Sequence, residues 1–246
     1  MNIDSFYNEL ENYFKKNNLD DVKAYLDKSL EQVTDTNDLP GRLMILNEVV
    51  GFNRSVGQDE KAQEFEDKIL AIYEEALPLY KALVKGKEYY ILSIYSTISN
   101  LLINKDKFNE SCEIIKKSIE VLRQYEKTEK EIATAYTNLT VNYLRSYDTL
   151  AAQECIMQAI SIYEAMNEKS EGYGIALTGL AEVYYMKKEY INAIASYKGA
   201  LDEIRSFYGE TPIYAHALEN CAKICYDAGY EEDAQVLLEH AKTILD

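Results

Sequence analysis

The chain has 246 residues, 47% of them hydrophobic and 28% charged, so it carries enough apolar surface to build a core and is no disordered tail. Lysine and arginine total 26 against 42 aspartates and glutamates, and the net charge of −16 argues against nucleic acid or an anionic membrane as a partner. Only 10 glycines and 3 prolines are present, too few for the turns of a strand-rich protein, and the composition predicts an all-α fold of long helices joined by short loops.

The first segment, MNIDSFYNELENYFKK, has no basic stretch followed by an apolar one and does not read as a signal peptide. No apolar run approaches the ~20 residues of a membrane helix. A cytoplasmic location is expected, with Cys112, Cys155, Cys221 and Cys225 as reduced core thiols. Phe6, Leu10 and Tyr13, followed by Val22, Leu26 and Ser29, have the three- and four-residue spacing of two amphipathic helices. A second, blurred pair runs from Leu46, Val49 and Val50 to the segment around Ala62. Together they form two degenerate hairpins over 1–76. Residues 77–90 come next as a bend or insertion, in which Pro78 is expected to kink or end a helix.

From 91 to 246 the pattern is regular. Ser99, Thr140, Ala181 and Ala222 follow one another at intervals of 41 residues with no insertion. Around them the same sequence of types returns. Leu177, Leu180, Ala181 and Tyr184 precede Ala193, Tyr197 and Ala200, just as Tyr136, Leu139, Thr140 and Tyr143 precede Ala152, Ile156 and Ala159. Each copy is a helical hairpin with small residues where its two helices cross, and NKDKF, KKEY and DAGY mark the turns. One hairpin cannot bury both of its apolar faces, so the copies must stack. In the last copy Lys242 stands where Ile160 and Leu201 stood, and Gln235 answers Ile194, which predicts a solvated terminal face. Leu245 keeps an apolar character there and leaves self-association, as a homodimer, open.

The alternation of large, large, small, aromatic and then small, large, small resembles the tetratricopeptide repeat. The usual period of that family is about 34 residues. The longer period here, and FYGETPIYAHALENCAKICYDAGYEEDAQ in particular, is similar to the long-helix repeats of kinesin light chains. The resemblance implies a right-handed α–α superhelical solenoid, of about six hairpins in this chain, forming one domain over 1–246.

No phosphate loop, HExxH, GxSxG or CxxC occurs, and two histidines cannot assemble a nucleophile with its base. An enzyme is not expected, nor a cofactor or metal. Cys221 and Cys225, with His216 nearby, fall on core positions of the repeat and read as packing. The resemblance instead implies a concave groove lined by the first helix of each hairpin, holding a protein or peptide segment. Carried over by position, the lining includes Asn100 and Asn104; Thr137, Asn138, Leu144 and Arg145; Thr178, Glu182 and Tyr185; and Asn220, Lys223 and Tyr226. Asn138 and Asn220 match asparagines that such repeats place against a bound main chain, since an amide both donates and accepts. Alternatively they tie neighbouring helices together. The same position is Thr97 and Gly179 in the other two copies, which interrupts the ladder, and the basic clamp by which some members grip a C-terminal carboxylate is not reproduced. The expected role is a non-enzymatic protein- or peptide-binding scaffold. A bacterial peptide-sensing regulator and a self-assembling structural protein are the alternatives.

Overall fold

The computed structural model describes residues 2–16, 18–83, 89–166 and 171–245. Among these residues there are twelve α-helices and no strand: α1 Ile3–Lys15, α2 Leu19–Asp35, α3 Leu39–Ser55, α4 Asp59–Leu83, α5 Tyr89–Asn104, α6 Phe108–Leu122, α7 Glu129–Arg145, α8 Thr149–Met166, α9 Glu171–Met186, α10 Tyr190–Tyr208, α11 Pro212–Asp227 and α12 Glu231–Leu245. No helix among them is long and apolar enough to cross a membrane. The predicted turns fall where expected: NKDKF between α5 and α6, KKEY between α9 and α10, and DAGY between α11 and α12.

One turn closes each of the five hairpins from α3–α4 to α11–α12, and it recurs at Asn37 between α2 and α3. Gly57, Asp106, Tyr147, Lys188 and Gly229 have φ of 72°, 59°, 61°, 62° and 84°. In each case the next residue's N–H closes back on the helix just ended, at 2.8–2.9 Å: Gln58 to the Asn53 carbonyl, Lys107 to Leu102, Asp148 to Tyr143, Glu189 to Tyr184 and Tyr230 to Cys225. The left-handed residue's own N–H bonds the carbonyl three before it, from Gly57 to Arg54 through Gly229 to Tyr226. These paired bonds satisfy carbonyls that a helix end leaves unbonded and reverse the chain within a few residues. Glycine adopts this conformation freely at 57 and 229. Asp106, Tyr147 and Lys188 hold it at a cost of roughly 1–2 kcal/mol each, borne by the packing of the helices they join. Helix starts are fixed by caps such as Asn2, Asn18 and Asp38, whose side chains accept from the N–H groups of Ser5, Asp20 and Gly41.

The chain forms two compact units, Met1–Ile114 and Ile115–Asp246, with the division inside α6. In the first, α2 packs on both α1 and α3, and α3 and α5 pack together beside α4. Pro78 lies within α4 without ending it; Ala76, Leu77 and Tyr80 around it are buried, and that burial holds the helix across the missing N–H. Residues 84–88 of the expected bend lie outside the described residues.

In the second unit α7, α9 and α11 each pair with the following helix, and α8–α9, α10–α11 and α7–α9 pack between hairpins. Alanines make the crossings. Ala133, Ala152, Ala159, Ala176, Ala181, Ala193 and Ala200 are completely buried, and large residues such as Ile156, Tyr163 and Tyr197 fill the layers around them. The last helix differs. Ile156 and Tyr197 are buried whereas the corresponding Leu238 is 45% exposed, as is Leu245, and Gln235 and Lys242 face solvent.

Candidate functional site

Ten of the twelve residues assigned to the groove lie on α7, α9 and α11 in the second unit; Asn100 and Asn104 lie on α5 in the first. The densest grouping joins α9 to α11. The Tyr185 hydroxyl donates to Asp227 Oδ2 at 2.5 Å, and Lys223 Nζ stands 5.8 Å from the Tyr185 ring centroid. That bond to the Asp227 carboxylate, more than burial, pushes the Tyr185 phenol up to about 12, so it remains a donor at neutral pH. Burial raises the Glu182 carboxyl and the nearby Lys223 charge opposes the rise. His216 Nδ1 lies 2.9 Å from Glu219 Oε2, and Tyr226, one residue before Asp227, is 65% exposed. Three carboxylates, an ammonium, an imidazole and two tyrosines thus share one partly solvated surface. Such a surface can exchange hydrogen bonds and ion pairs with a partner.

Asn220 is already engaged. It hydrogen-bonds the phenol of Tyr197 on α10, whose burial pushes that group up to about 12. The interruption at Gly179 has a steric cause: a Cβ there would stand 3.0 Å from Ile156 Cδ1, so α8 packs into the space an asparagine would need. Thr137 is buried and its hydroxyl donates to the Ala133 carbonyl at 3.1 Å, as Thr178 does to Ile175 at 2.7 Å. The half-buried Thr178 hydroxyl therefore offers a ligand lone pairs and no proton, and the buried Thr137 is out of a ligand's reach. Asn138 is half-buried and Arg145 is exposed. Leu144 packs on the core shared by α7, α8 and α9, and Tyr185 on the core of α9 to α12. Asn104 lines a small cleft of about 160 Å³ with Glu66 and Leu70 of α4, and Asn100 is exposed.

Two features are not legible in the sequence alone. Asp227 reads as part of the DAGY turn, although it lies 42 residues after Tyr185, close to the repeat distance. In the first unit Glu48 precedes Val50 by two residues, the offset of Asn138 from Thr140, and so holds the same ladder position. Its Oε1 accepts from the Tyr7 hydroxyl at 3.0 Å and from Asn47 Nδ2 at 3.3 Å. Tyr7 of α1 stacks on Tyr90 of α5 with centroids 4.6 Å apart, and the Thr97 hydroxyl donates to Asn47 Oδ1 at 2.8 Å. At this end the ladder positions bond helix to helix, and the side chain of Tyr7 covers Glu48.

Burial holds the Glu48 carboxyl above the ordinary range, against the bonds from Tyr7 and Asn47. Its folded state therefore binds a proton more tightly than the unfolded chain. Stability is lost as pH rises from the ordinary carboxylate value through the raised one, and the full penalty applies above both. Glu48→Gln keeps an acceptor for Tyr7 and removes the charge. Thermal unfolding should show the variant stabilised at pH 7 by about 1 kcal/mol, with the gain vanishing near pH 4; a gain independent of pH would contradict the assignment.

All four cysteines are buried thiols outside any disulfide. Burial is the main reason the Cys221 thiol is pushed up to about 12 and the Cys225 thiol is raised, so both are packing groups and not thiolates. Among the described residues no group of three or more His, Cys, Asp or Glu side chains is placed to hold a metal ion.

Compared with known proteins, residues 173–246, the stretch holding α9 to α12, match the tetratricopeptide repeat family. This stretch consists of tetratricopeptide repeats. No curated protein matches the chain. Among solved structures, BtubC (BKLC) from P. vanneervenii aligns over 92% of this chain and 90% of its own, with a TM-score of 0.65 and 16% identity. A putative kinesin light chain of Podosopora anserina with nearly identical TPR-like repeats gives 0.61 and 17%, over 83% and 95%. The apo form of RapI gives 0.60 and 13%, over 97% and 96%. At these identities the similarity is one of fold, and it extends tetratricopeptide-type hairpins beyond the matched stretch. Tetratricopeptide repeats are in general non-enzymatic scaffolds for protein interaction.

Proposed function

We propose that this protein is a cytoplasmic scaffold that binds a peptide or protein segment across the first helices of its tetratricopeptide repeats, on the face carried by α7, α9 and α11. The observation that carries this reading is the Glu182–Tyr185–Lys223–Asp227 network, with Tyr226 exposed beside it. It is polar, aromatic and partly solvated, and unlike Asn220 its outer members are not tied into the core. A ligand would gain hydrogen bonds from these groups and stack on Tyr226, an aromatic of the kind that anchors interfaces. Four buried cysteine thiols outside any disulfide fit a reducing compartment.

Lys223→Ala combined with Tyr226→Ala tests the site, because both residues are exposed. Affinity capture followed by mass spectrometry should identify a partner with the wild type. The double variant should weaken that partner's binding by tenfold or more, with circular dichroism and melting temperature unchanged. Undiminished capture would reject this face. Asn220→Ala should lower both capture and stability, since it also removes the bond to Tyr197.

A further inference from the structure

We propose that the cleft between α1 and α2 binds an elongated organic cation, an alkylammonium of the kind found in polyamines and lysine side chains. This site is independent of the α7–α9–α11 face. The cleft encloses about 800 Å³, within the range of small-molecule sites. Its lining runs along α2 from Asp21 to the end of the helix at Thr36, a distance of about 22 Å at 1.5 Å per residue. An extended flexible ligand suits that shape better than a compact one.

The chemistry of the walls selects the charge. Phe6 and Tyr25 stack with centroids 5.6 Å apart, and Tyr13 adjoins Tyr25 at 5.0 Å. The Tyr25 hydroxyl donates to the Phe6 carbonyl at 3.2 Å, which pins the row in place. Aromatic faces attract cations, and this row already holds one: Lys16 Nζ stands 5.0 Å from the Tyr13 centroid. Glu9 and Asp21 line the same cleft with one lysine, Lys28, while Lys16 borders it at Tyr13. Asp38 also borders it, but its Oδ1 is taken up by the Gly41 N–H. After burial, the Glu9 charge is the next cause that raises the Tyr25 phenol, as a locally negative potential requires. An anion would meet two carboxylates and the rings of Tyr13 and Tyr25; an alkylammonium meets complementary charge at its nitrogens and apolar ring at its methylenes.

The test titrates the full chain with spermidine and, separately, with trilysine amide, following heat and the aromatic proton–carbon signals. The expected result is saturable binding that shifts the Tyr13 and Tyr25 ring signals. Glu9 is exposed, so Glu9→Gln spares the fold; it should weaken binding about fivefold. Glu154→Gln, at an exposed position of α8, removes the same charge elsewhere and should change nothing. Binding of spermidine alone assigns a free polyamine, and binding of trilysine alone assigns a peptide side chain; either supports the cleft. No saturable binding of either probe would overturn the proposal, as would equal losses in Glu9→Gln and Glu154→Gln.

Discussion

Gly172→Ala should destabilise the second unit by about 2–3 kcal/mol, a large effect for one methyl group. A Cβ at 172 would stand 2.3 Å from Tyr163 Oη and 2.8 Å from its Cζ. Tyr163 cannot swing aside, because it is 2% exposed and its hydroxyl lies 3.1 Å from Thr134 Oγ1. The variant must displace the ring, open the α7–α8–α9 core and lengthen that bond. Gly199→Ala is the matched control. Its Cβ would meet only Leu177 Cδ1 at 3.6 Å, an ordinary contact, and in mid-helix the added methyl should stabilise by up to about 1 kcal/mol. Denaturant midpoints of the two variants should move in opposite directions. Equal shifts would mean that Tyr163 does not fill the space beneath Gly172.

Arg54→Ala should cost about 2–3 kcal/mol, felt in the first unit. Arg54 Nη2 pairs with Glu66 Oε1, joining the end of α3 to α4, and the Glu66 side chain is only 4% exposed. Removing the guanidinium leaves a carboxylate buried without its counter-charge, which costs more than the intact pair contributes. The figure is at or below the lower end for buried pairs because Arg54 is 54% exposed and Glu66 borders the small cleft that water can enter. Glu66→Gln should recover most of the loss when added to Arg54→Ala, since no charge then remains to be compensated. A double-mutant cycle read by thermal unfolding gives the coupling, and a coupling near zero would show the pair to be incidental.

These two predictions could not have been written from the sequence, and the reason is physical. Neither Gly172 nor Arg54 carries a local signal: each matters through a residue 9 or 12 positions away in the neighbouring helix. The same holds for the face of α9 and α11. The 41-residue register placed Tyr185, Lys223 and Tyr226 on the first helices, but that Tyr185 donates to Asp227 emerges only when two hairpins are packed at the distance their core alanines permit. Asn220 shows the converse. Its position matches a main-chain-binding asparagine, yet Tyr197 of the adjoining helix accepts one of its hydrogen bonds.

What the sequence determined by itself is whatever depends on short-range rules. The amphipathic spacing fixed the helices, the scarcity of glycine and proline fixed their length, and turn segments such as DAGY fixed where the chain reverses. The repeat distance then required the hairpins to stack, because none can bury its own faces. Only the tertiary structure decided which polar side chains bond to one another. Pairings such as Tyr7 with Glu48 or Tyr185 with Asp227 join residues more than 40 positions apart. A hydrogen bond needs its atoms within about 3 Å, and over such separations in sequence only packing sets that distance.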